Sequence, residues 1–391
     1  MPPFPHFATS LLAAKCGNDG IFTPARPEPA LWINTPGYPQ IRNDPLPRAE
    51  QDETLGCMNN PRLILPADLR LVGQDSRKLA QLRNKGELVR IRRGVYMKSA
   101  DWNGSSPAQQ YGLQAAAFQA LTSRQPVLCH ATAALLWGLW IVGMPTRLHV
   151  VTDVATSGRS NNGVVRHLGS LTEGIVQCGQ FLLTDKLTTT LALIKSLSFP
   201  YAAAVCDSSL RTPDQRHAVN QFAQPGTGPL LHEPLWASDG PQGTALSRAD
   251  LRDAAMLLPN RAARERTLAV INFSSRLSGS AGESLSRAKM HQFGFPVPVL
   301  QKQFTLQDGS DAFVDFWFDG QKTAGEFDGK GKYLRSDWGD GLSIQNRVLK
   351  EKRREDQIRA LGVNFVRWDW ADMMNRERFT ALLRQAGIPQ R

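Results

Sequence analysis

The sequence predicts a multi-domain α/β protein, and three observations carry that expectation. From Pro61 onward a helical segment, a turn, a basic helix and a tight β pattern follow one another. Near the other end, Asp319-Gly320 lies between runs rich in Val, Phe and Trp, a strong hairpin cue, and a basic helical pattern comes after it. With 391 residues, 41% of them hydrophobic, the chain has material for two or three cored domains.

Residues 1–60 read as a flexible N-terminal extension. Met1 to Cys16 carries an apolar Leu11-Leu12-Ala13-Ala14 patch but no basic n-region, and Lys15 argues against a lipoprotein-like cleavage at Cys16. From Gly17 to Asn60 the chain is rich in Pro, Asn and Asp with little periodicity. Upstream sequence from a misassigned start codon would look the same.

The first organised unit spans 61–104. Leu63 to Leu71 is expected as one helix, Gly73-Gln74-Asp75 as a turn with Asp75 as N-cap, and Ser76 to Lys85 as a second, basic helix that Gly86 ends. Leu88-Val89-Arg90-Ile91, the tip Arg92-Arg93-Gly94 and Val95-Tyr96-Met97 then form a hairpin. Together they describe a winged helix-turn-helix, whose second helix enters the major groove while the wing touches backbone. The run LRNKGELVRIRRGVY, Leu82 to Tyr96, is similar to the N-terminal winged-helix domain of AbiEi-type antitoxins of type IV toxin–antitoxin systems. The resemblance implies operator-DNA binding through Arg77, Lys78, Arg83, Arg92 and Arg93, with Arg90 left open by strand parity. It departs from the family at the front, where the first helix should precede Leu63 and Leu55 to Asn60 is poorly periodic. The plainer alternative is a winged helix used only for packing.

Residues 105–223 resemble the middle α/β domain that accompanies this wing. The likeness lies in the helix opening at Val127 to Ala134, the strand Arg147 to Val151, and the stretch from Leu182 to Leu193. His130 stands alone at a helix start, a place where histidine serves more often as a cap or packing residue than as a base. Ala131 to Met144 is the longest apolar run, too short to span a membrane, and reads as a buried helix. Residues 224–275 read as a Gly/Pro-rich linker, Gln224 to Ser247, followed by helices from Arg248 to Phe273.

In residues 276–391 three carboxylates fall where a hairpin gathers them. If Phe318 pairs with Gln321 in a two-residue loop, Asp315 stands opposite Ala324, and the period of two puts Glu326 and Asp328 on the same face. Asp315 and Glu326 are then diagonal neighbours, about 7 Å apart at Cβ. Such acids suit a hard cation, Mg²⁺ or Mn²⁺; a three-residue loop would invert the parity and leave them as solvated residues. Upstream, Ser280-x-x-Glu283 opens a helix as a capping box, a structural role sufficient in itself.

The series Gly282-Glu283-Ser284, Val314-Asp315-Phe316, Glu326-Phe327-Asp328-Gly329, Tyr333, a basic helix and Val366-Arg367-Trp368 resembles the PD-(D/E)xK nucleases, specifically the group related to very-short-patch repair endonucleases. The resemblance covers about the last third of the chain. It implies a restriction-endonuclease-like α/β domain with a central mixed sheet, a metal held by Glu283, Asp315, Glu326 and Asp328, and DNA phosphodiester cleavage involving Asp315, Glu326 and Asp328. This chain departs from the pattern at Asp328, which occupies the slot of the lysine two residues after the Glu. Lys330 or Lys332 from the loop, or Lys350 or Lys352 from the next helix, are the substitutes at hand, and Lys330 is the nearest in sequence. On that helix, Ile344 to Leu361, Ile344, Val348, Ile358 and Leu361 recur at helical spacing while Arg347, Lys350, Lys352, Arg353, Arg354 and Arg359 crowd the remainder, and Gly362 stops it. Lys350, Lys352, Arg353 and Arg354 are the candidates for holding DNA phosphates.

Composition agrees with a polyanionic partner: 46 Lys plus Arg against 35 Asp plus Glu give a formal net charge of +11 and a pI of about 9.7. Five scattered cysteines, with neither a CxxC pair nor a metal-finger spacing, point to buried thiols in a reducing cytoplasm. Two functions stay open. One is a metal-dependent DNA endonuclease anchored by its wing. The other is an antitoxin-like transcriptional regulator with a cognate toxin as partner and an inert nuclease fold. Repair of mismatched or damaged DNA is suggested only by the nuclease relatives.

Overall fold

The computed structural model describes residues 63–65, 76–154, 162–212, 234, 236, 240–329 and 344–391. Leu55 to Asn60, Asp75, Lys330, Lys332, Tyr333, most of the expected linker, Cys16 and Cys57 lie outside the described residues. Within them the chain is a mixed α/β protein containing two mixed sheets and a two-stranded hairpin. Among the described residues no helix is long and apolar enough to cross a membrane.

Helix α1 (Ser76–Asn84) stops where Gly86 takes φ +76°, a left-handed conformation that glycine adopts without strain. Strands β1 (Leu88–Arg92) and β2 (Val95–Lys98) pair antiparallel, with the register slipping between Arg90 and Arg92. Leu79, Leu88, Val95 and Met97 turn inward and are buried. The helix expected from Leu63 does not begin there. Ile64 is extended and bridges Tyr96, exchanging N–O hydrogen bonds of 2.7 and 2.9 Å, and this pairing satisfies the backbone that a helix would otherwise close on itself. Pro66 to Leu71 lie outside the described residues.

Helices α2 (Ser99–Gly104) and α3 (Pro107–Gln119) follow, the second opened by a Ser106/Gln109 capping box with Pro107 in its first turn. Strands β3 (Val127–Leu128), β4 (Leu148–Thr152), β5 (Val164–Leu168), β6 (Ile175–Cys178) and β7 (Phe181–Thr184) form a mixed sheet in the order β5-β4-β3-β7-β6. Helix α4 (His130–Leu136) follows β3 directly. The apolar run to Met144 was expected as one helix, but α4 ends at Leu136. Gly138 takes φ +61° there, and the chain turns back with Leu139 N donating to Ala134 O at 2.9 Å. Leu128, Ala133, Leu136, Leu148 and Leu183 form the core beside Trp137 and Phe181.

Helices α5 (Lys186–Ser196) and α6 (Phe199–Ser209) pack with α7 (Arg248–Met256) and α8 (Arg261–Phe273) around Ile194, Leu251 and Ile271. Helix α9 (Ala281–Gln292) then lies on α6. There the buried Asp207 accepts from Arg287 Nη2 at 2.9 Å and from Ser284 Oγ at 2.7 Å. Strands β8 (Val299–Thr305), β9 (Asp311–Phe318), β10 (Thr323–Phe327) and β11 (Asn364–Trp368) form the second mixed sheet, ordered β11-β10-β9-β8. Helix α10 (Ile344–Ala360) precedes β11, which runs parallel to β10. Helices α11 (Trp370–Met374) and α12 (Arg376–Gln385) close the chain. Leu285, Phe316, Phe327, Trp368 and Phe379 fill one face of this sheet, and Val314, Trp317, Ala324 and Ile358 fill the other.

Candidate functional site

The β9–β10 hairpin forms, with a longer turn than its Asp319-Gly320 pair predicts. Asp319–Gln321 make one 3-10 turn and Lys322 takes the left-handed position at φ 46° and ψ 44°, so four residues join the strands. Among the bonds that hold this turn, Asn364 N donates to Lys322 O at 2.9 Å, and Trp317 Nε1 to Asp319 Oδ1 at 3.1 Å. The register is Phe318 to Thr323, Trp317 to Ala324 and Phe316 to Gly325. Phe318 therefore pairs with Thr323, not Gln321, and Ala324 stands opposite Trp317 instead of Asp315. The register is shifted by two residues from the expected one.

The ladder ends just before Asp315, whose Oδ2 accepts from Phe327 N at 3.1 Å. Strand β9 also changes its inward face here. Val314 lies in one hydrophobic cluster and Phe316 in the other, but Trp317 returns to the cluster of Val314. Across the sheet, Gln301 takes φ 53° between the pairs Leu300–Phe316 and Lys302–Val314. A local irregularity of this kind re-aims a side chain, and here the side chain is Asp315.

Glu326 is buried, and both its oxygens meet guanidinium groups. Arg354 Nη2 lies 2.6 Å from Oε1 and Arg367 Nη2 2.8 Å from Oε2. Arg354 also binds Glu351 at 2.6 Å and the carbonyl of Phe313 at 2.8 Å. Arg367 reaches Asp328 at 3.1 Å, Glu351 at 3.1 Å and Glu355 at 2.8 Å. Burial pushes the Glu326 carboxyl above its ordinary range, and the two arginines oppose that shift. Burial also works against both guanidinium charges, but the surrounding carboxylates outweigh it and raise the two arginine pKa values.

Glu283 comes from a different side of β10. Gly282 abuts Phe327 so closely that a Cβ there would stand 1.9 Å from its Cε1, and Phe327 shares a cluster with Leu285 of α9. The Glu283 carboxylate accepts from Gly279 N at 2.6 Å and from Ser280 Oγ at 3.0 Å, and Ser280 Oγ accepts from Glu283 N at 3.2 Å. This is local capping, with Gly279 N taking the donor role that a capping box gives to Ser280 N. The structure thus sets Glu326 and Asp328 against Arg354 and Arg367, and Asp315 against the backbone of Phe327, while Glu283 caps α9 beside the end of β10.

Among the other sequence candidates, Arg77, Lys78, Arg83, Arg93, Lys350, Lys352 and Arg353 are exposed. Arg92 is half-buried: Nε donates to Gln114 O at 3.2 Å, Nη1 to Asn162 O at 2.9 Å, and the guanidinium lies over Phe118. Arg354 was expected with the phosphate-holding residues, but its side chain turns back onto Glu326. Glu351, Glu355 and Arg367 complete the ion network; the two acids carry only an i to i+4 spacing on α10 as their sequence signal, and Arg367 stands in the Val366-Arg367-Trp368 element.

His130 is not alone. Its ring stacks on His167 at 3.6 Å, and His149 Nδ1 lies 2.9 Å from His167 Nε2. Cys129, His130 and His167 each offer a ligand atom, all within 4.8 Å of one another. Burial, then the neighbouring histidines, pulls His130 down to about 3 and His149 to about 4. Burial raises the Cys129 thiol above its usual value. These residues come from β4, β5 and the β3–α4 junction, so no short motif announces them.

A scan against protein-family models finds no match to this chain, and a search of curated proteins finds none either.

Proposed function

We propose that this chain is a DNA-binding protein that hydrolyses DNA phosphodiesters at Asp315 and Glu326. The observation that supports this reading is Asp315 at the open end of β9, bonded to the amide next to Glu326, where the ladder stops and β9 changes its inward face. The oxygen-only donor set of Asp315, Glu326 and Asp328 fits Mg²⁺ or Mn²⁺ by chemistry, with Glu283 the further acid on α9. Such an ion supplies polarisation of a phosphoryl oxygen and a more acidic bound water.

Arg354 and Arg367 orient Glu326 through its two carboxylate oxygens. The exposed bases of α10, and those of α1 with the β1–β2 tip in a winged-helix arrangement, supply sequence-independent hold on the DNA backbone. Gel retardation together with plasmid cleavage tests both halves of the reading: Asp315→Ala should stop cutting and leave retardation intact.

One observation favours the second reading, a DNA-binding, antitoxin-like regulator paired with a toxin. Both Glu326 oxygens are already matched by guanidinium charge, as in a domain kept for structure alone. Retardation of DNA with no cutting under any divalent ion would support it.

A further inference from the structure

The cluster at the β3–α4 junction lies outside the acid site and takes no part in the function proposed above. We propose that Cys129 Sγ and one ring nitrogen each of His130 and His167 form a site for a borderline-soft divalent cation, Zn²⁺ above all, with solvent in the fourth position.

The donors come from elements that the fold fixes firmly. Cys129 is buried between β3 and α4, and its backbone N donates to His149 O at 2.9 Å. Strands β4 and β5 run parallel with Val151 beside His167, so His149 and His167 stand as diagonal neighbours on the sheet, joined by the 2.9 Å nitrogen contact. That contact leaves Nδ1 of His167 for a ligand, and a hydrogen bond on the remote nitrogen is the usual way a ligating histidine is oriented.

His130 carries two features that packing does not call for. Its Nδ1 is buried with no hydrogen-bond partner, an arrangement that is destabilising when nothing offsets it. Its backbone holds φ 47°, in a left-handed region that non-glycine residues rarely occupy. Both bring the imidazole over His167.

The donor atoms already lie within 4.8 Å of one another. Zn–S and Zn–N bonds of about 2.3 and 2.0 Å in a tetrahedron set donor separations of roughly 3.3–3.5 Å, so closure asks for a movement of about 1 Å. The rings of His130 and His167 are stacked within 17° of parallel, and one must turn edge-on to share the ion. His130 is the one placed to turn, because His167 is tied to His149. Binding releases the Cys129 proton to solvent as the sulfur–metal bond forms, with no change of oxidation state. A thiolate with two imidazoles selects Zn²⁺ over the hard cations that suit the acid cluster. Cys129, His130 and His167 are only partly shielded as a group, since both histidines retain solvent exposure, which gives the ion a way in.

The test is Co²⁺ titration of the full chain after chelator treatment, followed by displacement with Zn²⁺. Asp315→Ala protein serves as the background, so that the acid cluster contributes less. The expected result is one equivalent of Co²⁺ giving a near-ultraviolet thiolate charge-transfer band that Zn²⁺ abolishes. Cys129→Ser should remove the band, and His149→Gln should keep it while weakening affinity about 10- to 100-fold. Absence of the band in folded protein carrying all four residues, or its persistence in Cys129→Ser, would overturn the proposal.

Discussion

Arg354 closes the acid cluster from α10, its Nη2 2.6 Å from Oε1 of Glu326 on β10. The Glu326 side chain is 9% exposed and that of Arg354 22%, so the pair is largely withdrawn from water. Arg354→Ala leaves the carboxylate to Arg367 alone and should lower unfolding stability by about 1–3 kcal/mol, below the cost of an unrelieved buried charge. Arg354→Lys should recover only part, since a single ammonium cannot span Glu326, Glu351 and the Phe313 carbonyl. Urea unfolding of the three proteins measures this.

Gly282 is where α9 meets β10 without a side chain between them. Gly282→Ala forces Phe327 aside and should cost about 1–3 kcal/mol by overpacking. Shortening the ring in a Gly282→Ala/Phe327→Leu double variant should return part of that loss. A double-mutant cycle read by thermal unfolding should therefore show coupling, whereas simple additivity would mean that the helix shifts freely.

Asp207 is fully buried and accepts from Arg287, Ser275 N, Ser278 Oγ and Ser284 Oγ. Asp207→Asn removes the charge that Arg287 requires in a site where neither side chain meets water. A loss of about 3–5 kcal/mol is expected. Asp207→Leu with Arg287→Met should lose less than Asp207→Asn alone, because no lone charge stays buried.

Lys186 is a buried ammonium whose Nζ donates to Thr244 O at 3.0 Å, and burial holds its pKa down to about 8. Between pH 8 and about 10.5 the unfolded chain keeps the proton that the folded chain releases, so stability rises with pH through that window. Lys186→Met should be more stable than the parent at pH 7 by about 1–3 kcal/mol. The advantage should shrink as pH climbs from 8 toward 10. A gap that stays constant with pH would show that Lys186 titrates normally.

What was legible in the sequence was local. The Asp319-Gly320 pair announced a hairpin and Ser280-x-x-Glu283 a helix start, because each signal lies within a few residues. The length of the turn was not legible, since Asn364 of β11 holds Lys322, and that bond joins residues distant in sequence. Arg354 looked like one more surface base because Glu326 is 28 residues away. The apparent helix at Leu63 gave way to a β-bridge for the same reason, its partner Tyr96 lying beyond α1. His130 looked solitary because His149 and His167 reach it only through the strand order of the sheet.

The central claim, hydrolysis at Asp315 and Glu326, is tested most directly with supercoiled plasmid in low salt and Mn²⁺, using wild type and Asp315→Ala side by side. The account predicts nicked or linear product from wild type, and none from a variant that retards the plasmid equally well. Equal retardation without cutting by either protein would contradict it.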